Sequence, residues 1–145
     1  CAKQFRCSTM RILTSIRIND SLQEHTSYFM AELKRLRQII TVLETGAPAL
    51  VLIDEVLRGT NSSDKTHGSE ALIKQLIAHP ALAIFATHDL SLSELENVYP
   101  SLISNYCFES RIENGELLFD YKLRSGVATN KNATFLMQKM GIISA

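Results

Sequence analysis

Nowhere in its 145 residues does the chain hold an apolar run long enough to cross a bilayer, so no membrane contact is expected from it. Its beginning, with Lys3 and Arg6 and no apolar block behind them, lacks the layout of a secretory signal. Net charge is missing too. With 15 Lys and Arg against 15 Asp and Glu, the basic footprint of a nucleic-acid-binding surface is absent, and any DNA contact is expected from regions outside this chain. Cys1, Cys7 and Cys107 are odd in number and, like His25, His67, His79 and His88, lack metal-ligand spacing. Reduced thiols in a cytoplasmic setting are the expectation. What remains, 46% apolar and 21% charged, is ordinary for one globular domain with a real core. The chain starts on Cys1 rather than Met, with strand-like residues soon after, and reads as a piece of something longer.

The stretch around which the rest is organised is Leu50-Val51-Leu52-Ile53-Asp54-Glu55. An apolar run without polar alternation predicts a strand buried on both faces, as a helix-covered parallel sheet requires. Upstream, Met10, Ile12, Thr14, Ile16 and Ile18 alternate with Arg11, Leu13, Ser15 and Arg17, predicting a strand over residues 9–18 with one wetter face. Phe29, Leu33, Leu36, Ile40 and Leu43 then define an amphipathic helix whose other face carries Glu32, Lys34, Arg35 and Arg37. Thr26 or Ser27 is its natural N-cap, and Gly46 with Pro48 ends the segment. Leu72, Ile73, Leu76 and Ile77 predict a second helix, stopped at His79-Pro80.

Ala83-Ile84-Phe85-Ala86 follows as a second buried strand, closed by Thr87-His88-Asp89, and the whole span is a βαβ unit. Ser91 and Glu94 suggest a capping box before a short helix ending at Pro100. Beyond it, two alternating runs flank Glu113-Asn114-Gly115, a strong hairpin signal. A last short helix holds Leu136, Met137 and Met140, with Gly141 placed to cap it.

Chemistry concentrates where the buried strands end. In an open α/β sheet ligands gather at the carboxyl ends of strands, so Asp54, Glu55 and His88 are expected on one edge although they lie far apart in sequence. An apolar strand ending in Asp-Glu is the pattern of nucleotide hydrolysis: the Asp holds magnesium through water and the Glu orients or deprotonates the attacking water. A His at the end of the next strand can reach the terminal phosphate. Taken singly, each of these residues is as well explained by a strand that must end somewhere polar.

Thr26-Ser27-Tyr28-Phe29-Met30-Ala31-Glu32-Leu33, the run into Asp54-Glu55, then Arg58-Gly59-Thr60-Asn61-Ser62-Ser63-Asp64 and Phe85-Ala86-Thr87-His88 together resemble the ATPase domain of the MutS family of mismatch-repair and related proteins. That family lies within the ABC-type P-loop ATPases. The resemblance implies the C-terminal half of such a domain. Its fold class would be α/β, a P-loop NTPase half-domain with a mixed, mainly parallel sheet, flanking helices and a C-terminal β-hairpin. Residues 1–145 would form one domain, without the phosphate loop and the terminal dimerisation helices.

Position by position, the resemblance implies that Asp54 is the Walker B aspartate at the metal, Glu55 the catalytic glutamate and His88 the switch histidine. Asn61 and Asp64 would lie in the loop that communicates across a homodimer. Ser27 would face the ATP bound by the opposite subunit, a role that the free N–H groups of a helix start also suit. ATP and Mg²⁺ are the implied ligands.

The departures matter as well. Val56-Leu57 stands where Leu-Gly is usual, Asp64-Lys65-Thr66-His67-Gly68 is longer than the usual Asp-Gly, and His88 is followed by Asp89 instead of Tyr. These point to a MutS-like branch apart from standard mismatch-recognition proteins. A regulatory or dimerisation module of the same fold that no longer turns over nucleotide is the alternative. A chromosome-structure ATPase of related type is a further one, and the Ser-Tyr-Phe-Met stretch speaks against it. No G-x-x-x-x-G-K-[ST] loop occurs in these residues. By themselves they are therefore expected neither to hold ATP tightly nor to hydrolyse it, and magnesium-dependent turnover by these residues alone would contradict that.

Overall fold

The computed structural model describes residues 3–16, 28–129 and 132–144. The chain divides into two compact units, Cys1–Leu92 and Ser93–Ala145. In the first, β1 (Arg11–Ser15), α1 (Tyr28–Leu43), β2 (Ala49–Asp54), α2 (Ser62–Ile77) and β3 (Ala81–Ala86) alternate. The sheet has the order β1-β2-β3, and both pairings are parallel. The expected βαβ unit is β2-α2-β3. The described sheet is purely parallel, where a mixed one was expected. The antiparallel pair forms a separate two-stranded sheet in the second unit.

Parallel pairing fixes which side chains meet. Leu13 lies opposite Val51 and Ser15 opposite Ile53, while Val51 and Ile53 lie opposite Ala83 and Phe85. Along β2 the residues alternate between buried and half-buried, with Ala49, Val51 and Ile53 on the side that joins Leu36, Ile39, Leu43 and Leu76 in the core. The wetter face of β1 is therefore the reverse of the pattern's suggestion. Ile12 is 66% exposed and Ser15 only 4%, because the register, not side-chain polarity, turns Leu13 and Ser15 toward the core.

Helix α1 shows a similar correction. The buried positions are Glu32, Leu36, Ile39 and Leu43, with Phe29, Leu33 and Ile40 packed at the margin. Glu32 is thus not on the solvent face where its charge suggested it. Arg35 donates from Nε to the Thr14 carbonyl at 2.7 Å, tying α1 to β1. Past the helix, Gly46 takes φ +72, a left-handed conformation that glycine adopts without a Cβ penalty.

Helix α2 begins much earlier than its apolar residues indicate. Asn61 caps it, accepting from the Asp64 N–H at 2.9 Å. Past β3, Asp89, and not Ser91, is the capping residue: its Oδ1 accepts from the Ser91 N–H at 3.1 Å and from the Ser91 hydroxyl at 2.6 Å. Glu94 is engaged elsewhere, accepting from Asn97.

In the second unit, β4 (Tyr106–Glu113) and β5 (Glu116–Ser125) form the expected hairpin. Asn114 and Gly115 have φ 52 and 72, both left-handed, as a two-residue turn matched to strand twist demands. A short helix α3 (Leu95–Val98) precedes the hairpin, and α4 (Asn132–Lys139) follows it. Gly141 (φ 69) ends α4: its N–H reaches the Gln138 carbonyl and the Ile142 N–H reaches that of Met137. Among the described residues no helix is long and apolar enough to cross a membrane.

The packing of α1 makes a direct prediction. Ile39→Ala should cost roughly 2–5 kcal/mol in denaturant unfolding, and Ile40→Ala distinctly less. Equal losses would contradict the burial pattern.

Candidate functional site

Strand β2 delivers its two carboxylates by ending at a sheet edge. The ladder to β3 runs one step past the strand, with the Glu55 N–H donating to the Ala86 carbonyl at 2.9 Å. Asp54 lies opposite Ala86, so the residues after Ala86 emerge beside those after Asp54. Two residues on, His88 Nδ1 stands 2.6 Å from Glu55 Oε1. The expected convergence of Glu55 and His88 is therefore present in the geometry.

The backbone after β2 turns sharply. Glu55 and Leu57 have φ 48 and 58, left-handed values unusual away from glycine. Such conformations persist where surrounding groups over-determine them. Arg58 supplies one clamp: its Nε donates to the Glu55 carbonyl at 3.2 Å, and its Nη2 lies 3.1 Å from Glu55 Oε2 and 3.8 Å from Asp54 Oδ2. A guanidinium spanning both carboxylates offsets their mutual repulsion.

Helix α1 supplies the second clamp. Glu32 Oε1 accepts from the Leu57 N–H at 2.9 Å in a buried setting. A Cβ added at Gly59 would stand 2.9 Å from the Phe29 Cβ, so glycine there permits the close approach of loop and helix.

Helix α2 contributes the remaining polar groups. Lys65 Nζ is 3.4 Å from His88 Nε2, and the Thr66 hydroxyl donates to Asp89 Oδ2. An ammonium can only donate, so in the neutral imidazole Nε2 accepts and the proton sits on Nδ1, which donates to Glu55. The hydrogen bond from His88 is the largest influence holding the Glu55 carboxyl below its ordinary value. Partial burial opposes it, and the positive charges of His88 in acid, Arg58 and Lys65 reinforce it.

Not every expected residue joins this cluster. Asp54 does so through Arg58. Asn61 and Asp64 are bonded to each other, Asn61 Nδ2 donating to Asp64 Oδ2 at 2.8 Å while Oδ1 takes the Asp64 N–H, and together they close the first turn of α2. Ser27 lies outside the described residues. Sequence reasoning assigned no role to Arg58, Lys65 or Glu32. For Glu32 a signal existed: with Leu36, Ile39 and Leu43 it completes a helical stripe in steps of four, three and four residues, a carboxylate at a core position.

Residues 2–142 match the family model described as MutS domain V. The chain is 32% identical to the human protein named MutS protein homolog 4 over 128 residues, covering 84% of this chain and 13% of that protein. It is likewise 32% identical over 118 residues to the DNA mismatch repair protein MutS of Thermotoga neapolitana, covering 81% of this chain and 14% of that protein. The chain thus spans about one-seventh of the length of the relatives it matches.

The lowered Glu55 value has a defined sign. The link to His88 holds above the ordinary glutamate range near 4.5 and is lost only as pH falls through the lower folded-state value. A carboxyl ¹³C titration should place the Glu55 midpoint below 4.5, and His88→Ala should raise it. A midpoint indifferent to that substitution would remove the hydrogen bond as its cause.

Proposed function

The chain belongs to the MutS family, by its domain V, and on that premise we propose that it supplies the hydrolytic edge of an ATPase site in a DNA-transacting, mismatch-repair-type protein. The observation that carries this reading is the 2.6 Å bond between Glu55 and His88, which unites the ends of two parallel strands at one sheet edge. An acid pair followed by an imidazole there suits a triphosphate better than a purely structural role.

In this reading Glu55 takes a proton from, or orients, the water that attacks the terminal phosphorus. Its lowered pKa keeps it ionised and makes it a weaker base, which suits orienting that water more than taking its proton. His88 contributes a polarised N–H, and its Nε2 is held by Lys65 until a phosphate oxygen competes for that lysine. Arg58 balances the charge of Asp54 and Glu55 through one guanidinium nitrogen that lies near both.

Among the described residues no group of three or more His, Cys, Asp or Glu gathers into a metal cage. The 39% exposed Asp54 carboxylate, whose one ion pair among the described residues is the 3.8 Å approach of Arg58, fits a cation that keeps waters and takes its other ligands from phosphate, as magnesium does. Bound there, magnesium would offset the charge on the phosphate oxygens. Ser27, at the start of α1, would complete the site across a homodimer, with Asn61 and Asp64 at the same junction. DNA would be held by regions outside these residues.

The test needs these residues in one protein with a G-x-x-x-x-G-K-[ST] loop. There Glu55→Gln should retain ATP binding and lower turnover by about two orders of magnitude or more. Undiminished turnover would remove Glu55 from the mechanism and favour a module of the same fold that does not hydrolyse nucleotide.

A further inference from the structure

We infer that Glu32 is a positioning residue that couples helix α1 to the loop carrying Glu55 and Arg58, an inference that rests on the ATPase reading of that loop. Its side chain leaves α1 one turn after the helix begins and is 2% exposed. One oxygen takes the Leu57 N–H at 2.9 Å. The other, Oε2, is buried without a hydrogen-bond partner among the described residues.

Core stability alone does not account for this choice of residue. Burying a carboxylate with an unsatisfied oxygen is costly, and an apolar side chain would fill the same stripe better. What the carboxylate offers is a charge-assisted bond to a backbone N–H, stronger than a neutral acceptor gives. That N–H belongs to one of two left-handed residues in the loop, and the other is Glu55 itself. Fixing Leu57 therefore fixes the turn through which the Glu55 carboxylate meets His88 and the Arg58 guanidinium meets both acids.

The contact is also directional. Phe29 sits one turn before Glu32 and abuts Gly59, so α1 touches the loop at two points, on either side of Arg58. A shift of α1 must move Leu57 and Gly59 together.

The experiment compares Glu32→Ala and Glu32→Gln in the protein that carries these residues with a phosphate-binding loop. Hydrogen exchange of amides 55–58 should speed up about tenfold or more in Glu32→Ala, with β2 and β3 amides unchanged. ATP turnover should fall about as far in kcat, with KM within roughly threefold. Glu32→Gln keeps an acceptor for Leu57 and should recover most of both.

Unchanged exchange at 55–58 would overturn the proposal. So would a loss of protection spread through β2 and β3 in both variants, or altered exchange with kcat intact where Glu55→Gln abolishes turnover. If Glu55→Gln itself leaves turnover intact, the ATPase reading fails, and with it the catalytic part of this proposal. The exchange data still decide whether Glu32 holds the loop.

Discussion

Parallel pairing of β2 between β1 and β3 is the constraint on which the rest of the first unit depends. Parallel strands bring their carboxyl ends to the same edge, so whatever follows β2 and β3 is delivered to one place. Glu55 and His88 meet because Asp54 is in register with Ala86 and the ladder extends to the Glu55 N–H. A slip of one residue would turn Val51 and Ile53 out of the core and the acids away from the imidazole. Core packing and site geometry are thus enforced by the same hydrogen bonds.

The loop after β2 shows how a strained backbone is kept in place. Two residues outside glycine hold left-handed angles, and each is flanked by a clamp: Arg58 on the Glu55 carbonyl and carboxylate, Glu32 on the Leu57 N–H. One clamp is exposed and the other buried. The buried one ties the loop to α1. Lys65 adds a second cation, at the imidazole.

Asp89 and Leu57 have local structural roles as well. Asp89 caps the turn Leu90–Glu94 and accepts from Thr66, so it fastens the segment bearing His88 to α2. Leu57 is buried, and its Cδ1 occupies the space that a Cβ on Gly68 would need. Residues 64–68 lie within α2, which starts at Ser62.

Much of this was legible in the residues, and the reason is local. Apolar runs ending in Asp54-Glu55 and Thr87-His88 identify strands and their polar ends, Asn114-Gly115 dictates a left-handed hairpin turn, and Gly141 marks a helix end, since each depends on neighbours in sequence. Strand β3, however, expected buried like β2, leaves Leu82 63% and Ile84 59% exposed at the edge of the described sheet. The start of α2 was not legible, because its first turns carry no apolar face and only the Asn61 cap announces them. Three further features were decided by tertiary structure, Glu32 among them despite the stripe that its spacing with Leu36, Ile39 and Leu43 already offered. The face of β1 was set by its pairing with β2, which buried Ser15 and exposed Ile12 against their polarity. Glu32 was drawn into the core because a distant N–H, at Leu57, needed an acceptor there. Lys65 became part of the site because folding brought it to an imidazole 23 residues away. Arg58, only three residues past Glu55, became part of it because the left-handed turn between them folds it back onto the acids.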